Sequence, residues 1–293
     1  MALLTLLLPL IAQVGPFTAP GTRGTPFPEK VERPARVRGG PAKLPMLPPA
    51  RTGRAQECVS QIEDDAEAAV DTAAAWLGTA KAGERAEAGL CLGLAQSRLE
   101  QWDDAEAAFL GAREAAGSDR VMRARLGAMA GNAALAAGQP DRAIAALDVA
   151  DADAKALAEA PLTAGIALDR ARALVSLKRE SEAATALAEA RAAGPDNAEA
   201  WLLSATLSRR QGKLVEAQAQ ILKAAELLPI DPAIGLEAGV IAMQSGHEAA
   251  ARRSWQSVIT AAPGSPQAAT AQGYLAQLGP AAARPAPTPG AGR

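Results

Sequence analysis

The side chains that most often carry out chemistry in proteins are scarce in this chain of 293 residues. It contains one histidine, His247, and two cysteines, Cys58 and Cys91. The cysteines form no C-x-x-C pair and have no histidine nearby in sequence, so we expect neither a metal site nor a redox-active dithiol. His247 follows a glycine at the start of a predicted helix, where an exposed or end-capping histidine is the ordinary outcome. We therefore expect no catalytic role for it.

Paired carboxylates are the second feature that could indicate catalysis. Asp64 with Asp65, and Asp103 with Asp104, precede predicted helices. Acidic residues there cap the free backbone N–H groups and complement the helix dipole, which explains them without acid–base chemistry. No segment reads as a strand, so there is also no glycine-rich phosphate loop after a strand. The sequence predicts a protein that is not an enzyme and holds no cofactor or metal.

The N-terminal segment is apolar from Ala2 to Val14 and is followed by Gly15 and Pro16. This length is typical of the apolar part of a signal peptide and is too short to cross a bilayer. We predict that residues 1–19 are a signal peptide or an N-terminal apolar segment, and that the protein is periplasmic or secreted. No basic residue precedes the apolar run. An uncleaved anchor and a cytoplasmic chain therefore stay open as alternatives.

Two proline-rich segments flank a central region rich in Ala, Leu and Glu. Residues 20–54 carry many prolines and glycines, and so does the tail, residues 279–293. Because proline removes a backbone donor and disfavours helix before it, both segments are predicted to be disordered. Residues 1–54 carry eight basic and two acidic residues, whereas 55–280 carry 20 basic and 30 acidic ones. The basic arm could contact an anionic surface, an acidic partner or its own acidic body, or could be a solvated linker.

Residues 55–278 are predicted to form one all-α domain. Small and apolar residues recur at spacings of three and four, with Gly or Pro at the breaks. Short turns make consecutive helices antiparallel neighbours. The predicted pairs are 84–99 with 102–116, 120–137 with 140–157, 163–177 with 180–193, 198–211 with 214–228, and 232–245 with 248–261, before a single helix at 266–278.

The second helix of each pair repeats one pattern of a small residue, a bulky residue four later, and a small one three after that. The first residues of the pattern are spaced by 38, 40, 34 and 34. The five copies are Ala105-x3-Phe109-x2-Ala112, Ala143-x3-Leu147-x2-Ala150, Ala183-x3-Leu187-x2-Ala190, Ala217-x3-Ile221-x2-Ala224 and Ala251-x3-Trp255-x2-Val258.

This pattern resembles the tetratricopeptide repeat (TPR), a unit of about 34 residues. Trp201 matches the Trp that opens the family's first helix, Gly212 matches the turn, and Pro229 matches the Pro that closes a unit. The Tyr expected late in the first helix is missing from every unit. The resemblance implies an α-solenoid of about five to six helical hairpins with a C-terminal capping helix.

The resemblance also implies a concave groove lined by the first helices of the units. A planar guanidinium can pair with a carboxylate through two hydrogen bonds, so an acidic segment or a free C-terminus is the expected ligand. No nucleic-acid partner is expected. The inward positions that the resemblance assigns to peptide binding are Arg125, Asn132, Arg172, Thr206, Arg209, Arg210 and Gln244, with Glu87, Glu199 and Met243 also on this face.

A degenerate sixth unit is predicted at the N-terminal edge, with helices at about 55–63 and 66–77. Cys58 and Cys91 have a sequence separation of 33, one short of a repeat period, on helices that the resemblance packs side by side. In an exported protein they would form a disulfide. Two buried thiols are the alternative.

Two functions from different classes follow from this organisation. The first is a non-catalytic scaffold, exported to the bacterial periplasm or envelope, that binds extended segments of partner proteins on its concave face. The second is a structural subunit of an envelope complex that docks through the basic N-terminal arm and captures no peptide in the groove.

Overall fold

The computed structural model describes residues 53–279, and the predictions for residues 1–52 and 280–293 lie outside the described part. Thirteen helices and no strand occupy residues 53–279. The helices are α1 (Gly53–Asp64), α2 (Ala66–Thr79), α3 (Arg85–Arg98), α4 (Trp102–Ala115), α5 (Arg120–Ala136), α6 (Pro140–Ala156), α7 (Ala160–Ser176), α8 (Glu180–Ala193), α9 (Ala198–Arg210), α10 (Leu214–Leu227), α11 (Pro232–Gln244), α12 (Glu248–Ala261) and α13 (Pro266–Leu278).

The helices form six consecutive hairpins, from α1–α2 to α11–α12, and α13 covers the C-terminal end. Each helix packs mainly on its neighbours in sequence, which is the arrangement of a solenoid. The predicted all-α solenoid with a capping helix is confirmed. The clearest difference in helix bounds is α7, which begins at Ala160 instead of residue 163 because Pro161 is accommodated in its first turn.

A close contact between a small and a bulky residue holds each hairpin together. Gly93 on α3 faces the ring of Phe109 on α4, and Gly239 on α11 faces the indole of Trp255 on α12. A Cβ added to either glycine would lie too close to the ring to fit without movement. The separation along the chain between the two partners is the same in both hairpins, and Gly131 with Leu147 repeats it. The repeated pattern therefore encodes the distance between the helices.

The turn between the two helices of a hairpin, from α3–α4 to α11–α12, contains one residue in the left-handed backbone conformation, with a positive φ. Gly138, Gly212 and Gly246 have φ of 76°, 73° and 81°. The equivalent turns of two other hairpins have Glu100 and Lys178, with φ of 60° and 59°. Glycine adopts this conformation without steric cost, whereas a side chain with a Cβ does not.

Three of the four residues in the acidic pairs lie at helix starts, as expected, whereas Asp64 is the last residue of α1. The Asp65 side chain accepts a hydrogen bond from the backbone N–H of Ala68 and caps α2. Asp103 and Asp104 occupy the first turn of α4, where they complement the helix dipole. Helix capping and the helix dipole explain Asp65, Asp103 and Asp104 structurally.

The N-terminal end of the solenoid is closed by α1. Cys58, the one fully buried residue of α1, forms a disulfide with Cys91 on α3, with the two Cα atoms 6.1 Å apart. Both sulfurs lie in an apolar cluster with Ala73, Trp76 and Ala88. The outward face of α1 is polar, which suits a helix that ends a stack.

The first helices of successive hairpins contact one another, as α5 does with α7 and α9 with α11. Among residues 53–279, no comparable contact joins the second helices of successive hairpins. The stack therefore curves with its first helices on the inner side. None of the helices in this described range combines the length and the apolar character that a bilayer crossing requires.

Candidate functional site

The inner wall is the solvent-facing side of the first helices α3, α5, α7, α9 and α11, together with the capping helix α13. All seven residues predicted to bind a peptide lie on these helices. Arg210 and Gln244 are exposed, and the other five are partly buried. Each hairpin from α3–α4 to α11–α12 contributes a helix to this wall, so it is the candidate site.

A chain of polar contacts crosses this wall between successive units. The side-chain amide of Asn132 on α5 hydrogen-bonds Asp169 on α7. Arg172, one turn later on α7, pairs with Asp169 and also with Glu199 on α9. Burial raises the pKa of Asp169, and the adjacent Arg172 opposes that shift. Asn132 and Arg172 thus belong to one network that joins three consecutive first helices.

The next ion pair along the wall is more buried than the pair of Arg172 with Glu199. Arg209 on α9 donates from Nε to Glu237 on α11 over 2.6 Å, with only 9% and 13% of the two side chains exposed. Burial raises the pKa of the Tyr274 hydroxyl on α13, the charge of Arg209 opposes that shift, and the charge of Glu237 adds to it. Arg209 is therefore mainly a contact between units, which the sequence alone did not indicate.

Some predicted wall residues remain available to a ligand. Across residues 53–279, neither Arg125 nor Gln244 has an ion pair or a side-chain hydrogen bond. Arg210 reaches Glu180 only at 3.9 Å. Thr206 donates its hydroxyl proton to the carbonyl of Leu202 on its own helix, and its oxygen can still accept a hydrogen bond from a ligand.

The wall carries charges of both signs. Arg98 lies at the repeat position of Arg210, so the arginines are Arg98, Arg125, Arg172, Arg209 and Arg210, against the carboxylates Glu87, Asp169, Glu199 and Glu237. Glu87 is buried, with 5% of its surface exposed, instead of facing an open groove. The wall does not present the uniformly positive surface that a strongly acidic ligand would need.

Residues that could support catalysis are not brought together on this wall. His247 is exposed at the start of α12. In the stretch from Gly53 to Gly279, no three His, Cys, Asp or Glu side chains are grouped so that they could hold a metal ion. The absence of enzymatic activity stays a prediction.

The fold is similar to that of solved helical-repeat proteins. No protein-family model and no curated protein sequence matches this chain. PilW, a type IV pilus biogenesis factor, superposes with a TM-score of 0.61 at 18% identity over 75% of this chain and 96% of its own. PilF of Pseudomonas aeruginosa gives 0.59 at 16% identity, with the same coverage. YrrB, described as a TPR protein with an unusual peptide-binding site, gives 0.50 at 18% identity over 75% of this chain and 99% of its own.

The chain has the tetratricopeptide-repeat fold. The TPR fold predicted from the repeated pattern is confirmed. At these identities the likeness concerns the fold alone.

The TPR units of this chain depart from the family pattern in the core and not on the wall. The residues that replace the family's Tyr are largely buried between the helices of each unit. They are Gln96, Ala134, Leu174, Ser208 and Ala242.

Proposed function

We propose that this TPR protein is a non-catalytic scaffold of the bacterial periplasm or envelope that binds an extended segment of a partner protein along its inner wall. The observation that carries the proposal is the wall itself. Five first helices and the capping helix α13 lie side by side, with half-buried polar and apolar side chains between them. An extended chain can satisfy its backbone on polar groups of such a surface while its side chains contact the apolar ones.

The ion pairs of the wall suggest which residues meet the ligand. Glu199, with 55% of its side chain exposed, can leave Arg172 when a ligand carboxylate takes its place. Glu237 cannot leave Arg209 in the same way, because both side chains are nearly buried. Removing one member of a buried pair strands the other charge, so Arg209 is unsuited to a test of binding. Arg125 and Arg172 are the residues to change.

Display of a random peptide library against the purified chain would supply ligands without knowledge of the partner. The double variant R125A/R172A should bind the selected peptides at least about tenfold more weakly, because two charge-assisted contacts are lost. Arg172 also pairs with the buried Asp169, so the double variant should lose some thermal stability, and its helical circular dichroism spectrum should show that it is still folded at the temperature of the binding assay. The control is Arg253→Ala, an exposed arginine on α12 away from the wall.

Peptides that bind R125A/R172A and the parent equally well would contradict binding on the wall. A failure to select any peptide would favour the second function, a structural subunit docked through the basic arm. Removal of residues 20–52 distinguishes the two functions further. The scaffold would keep its partners after this deletion, whereas the structural subunit would lose its assembly.

Export is part of the proposal and has its own test. The apolar segment at residues 2–14 supports a signal peptide. Fractionation of cells that express the full gene, with N-terminal sequencing of the product, should find a shortened chain in the periplasm. A full-length product in the cytoplasm would contradict it.

A further inference from the structure

An apolar cavity of about 140 Å³ opens on the outer side of the solenoid, between the second helices α2 and α4. Helix α3 forms its floor at Gly89, and Leu77 of α2 forms one wall. Arg85, exposed at the start of α3, lies at the rim. The opposite wall consists of small residues of α4, which are Ala107, Ala108, Gly111, Ala112 and Ala115.

The equivalent space in a later unit is filled by an aromatic side chain. Trp201 on α9 occupies the repeat position of Gly89, and Arg191 on α8 occupies that of Leu77. The Arg191 guanidinium lies 4.9 Å from the centre of the Trp201 ring. This groove of the solenoid therefore accommodates an aromatic ring where the sequence supplies one.

Another unit fills the same space with the stem of an arginine. A Cβ added to Gly127 on α5 would lie 3.4 Å from the Cδ of Arg113 on α4. Beside the cavity, in contrast, Gly89 packs directly against α4, where an added Cβ would lie only 2.8 Å from the Cβ of Ala112. Helix α3 therefore supplies no side chain of its own, and no side chain of residues 53–279 fills this cavity.

The size of the cavity matches a phenyl ring, because an apolar cavity of about 150 Å³ holds a benzene molecule. Phe27 is the one aromatic residue of the arm at residues 20–52. The arm joins the solenoid at Gly53, where α1 packs on both α2 and α3, the helices beside the cavity. The segment of about 26 residues from Phe27 to Gly53 spans up to about 85 Å, whereas the 14-residue α2 is about 21 Å long. The cavity therefore lies within reach of Phe27.

The residues next to Phe27 fit the charge at the rim. Glu29 follows Phe27 by two positions and is one of only two acidic residues in residues 1–54. Pro28 favours an extended chain at Phe27, and side chains two residues apart in an extended chain face the same side, about 7 Å apart. With the Phe27 ring in the cavity, the Glu29 carboxylate lies beside Arg85, which has no ion pair with another residue of 53–279.

The basic residues that follow in the arm also meet opposite charge. Asp104 and Glu114 are exposed on α4 at opposite ends of the cavity, and neither has an ion pair within residues 53–279. Lys30 and Arg33 come three and six positions after Phe27. An extended segment that leaves the cavity along α4 carries them past these carboxylates. The surface around the cavity is therefore complementary in charge to this part of the arm.

We propose that the arm docks on its own solenoid, with the Phe27 ring in the cavity between α2 and α4 and Glu29 paired with Arg85. Tethering strengthens this contact, because a linked segment is present at a local concentration near the millimolar range. The docked arm lies on the outer side of the solenoid, so the inner wall stays open. The docking therefore does not depend on what the wall binds.

Fluorine NMR of the full chain with 4-fluorophenylalanine at position 27 measures the docked fraction. The parent should give a broadened signal, shifted from its position in the urea-unfolded chain, and a docked fraction that does not change with protein concentration. Gly111→Leu should convert it to the narrow signal of a free arm, because a Cβ at Gly111 meets nothing within 4 Å and the new side chain occupies the cavity. The matched control Gly273→Leu, at an equally open glycine of α13, should leave the signal unchanged.

Contacts of the ring in nuclear Overhauser spectra locate the docked residue. The ring protons of Phe27 should show contacts to the methyl groups of Leu77 and Ala108, which line the cavity. Contacts to methyl groups of the inner wall instead would place the arm in the wrong groove and overturn the proposal.

Charge reversal tests the pairing at the rim. Arg85→Glu and Glu29→Arg should each lower the ratio of docked to free arm at least about threefold, and the double variant E29R/R85E should restore it to within about twofold of the parent. The circular dichroism spectrum should stay helical in each variant. A free signal in the parent, a docked fraction that rises with protein concentration, a docked signal that survives Gly111→Leu, or a double variant docked no better than the single ones would each overturn the proposal.

Discussion

At the scale of the residue, the packing of each TPR unit depends on a small residue in the first helix, against which a bulky side chain of the second helix packs. Gly93, Gly131 and Gly239 stand where the helices of a hairpin come closest, and Phe109, Leu147 and Trp255 fill the space. Trp255 has no exposed surface, and its indole N–H donates to the carbonyl of Leu236 over 3.2 Å. A larger bulky residue leaves less space for a larger side chain at the small position.

We predict opposite effects of the same change at two glycines that stand one repeat period apart. Gly239→Ala should lower the free energy of unfolding by about 1–3 kcal/mol, because the new methyl group overlaps the ring of Trp255. Gly273→Ala, at the equivalent position of α13, should raise it by up to about 1 kcal/mol, since nothing lies within 4 Å there and alanine favours helix. Urea unfolding of both variants measures the difference. Stabilisation by Gly239→Ala would contradict the close contact.

The turn residues allow a second prediction at this scale. Lys178 has a left-handed φ of 59° at the turn where Gly212 and Gly246 stand in later units. Lys178→Gly should stabilise the protein by about 0.5–1 kcal/mol, because the strain of a Cβ in this conformation is removed and exceeds the extra entropy of glycine in the unfolded chain. Gly212→Ala should destabilise it by a similar amount. A shift of the unfolding temperature in the same direction in both variants would argue against backbone strain as the cause.

At the scale of the element, helix bounds follow closely from the sequence, whereas contacts between units do not. The predicted helices at 102–116 and 214–228 correspond to α4 and α10 with ends that differ by a single position. The pairs of Arg172 with Glu199 and of Arg209 with Glu237 were not predicted. They depend on the offset between successive hairpins, which is set by packing in three dimensions and not by spacing along the chain.

Among the helices, α1 is the one whose packing is most sensitive to redox conditions. With Cys58 as its one fully buried residue, α1 is held mainly by the bond to Cys91. Reduction, or the variant C58S/C91S, should lower the stability of the N-terminal hairpin by about 3–4 kcal/mol on the loop-entropy estimate. Amide hydrogen exchange in α1 and α2 should accelerate, while exchange in α7 and α8 should not change.

Thiol alkylation is the direct check on the bond itself. The non-reduced protein should take up no alkylating reagent, and the reduced protein should take up two equivalents by intact mass. Two reactive thiols in the non-reduced protein would rule the disulfide out, and α1 would then be held by the apolar contacts of Ala55 and Ile62 and by polar contacts such as that of Gln61 with Thr72.

At the scale of the whole molecule, the solenoid has no single core. Its apolar clusters follow one another along the stack, each built from one hairpin and its neighbours. Stability in such a structure is close to a sum of unit and interface terms, and the ends need caps. The disulfide secures one end, and α13 covers the other.

The C-terminal cap gives the last prediction. Tyr274 on α13 stacks on Trp255 at 5.0 Å between ring centres, and Arg252 on α12 donates to the backbone carbonyls of Leu278 and Gly279. Truncation after Pro263 removes α13 and exposes Trp255, so hydrogen exchange in α11 and α12 should accelerate at least about tenfold, while α3 to α6 stay protected. Truncation after Gly279 keeps α13 and should leave exchange unchanged. Because each unit contacts only its neighbours, uniform acceleration along the whole chain would show that the stack unfolds as one cooperative body and would contradict the solenoid description of its stability.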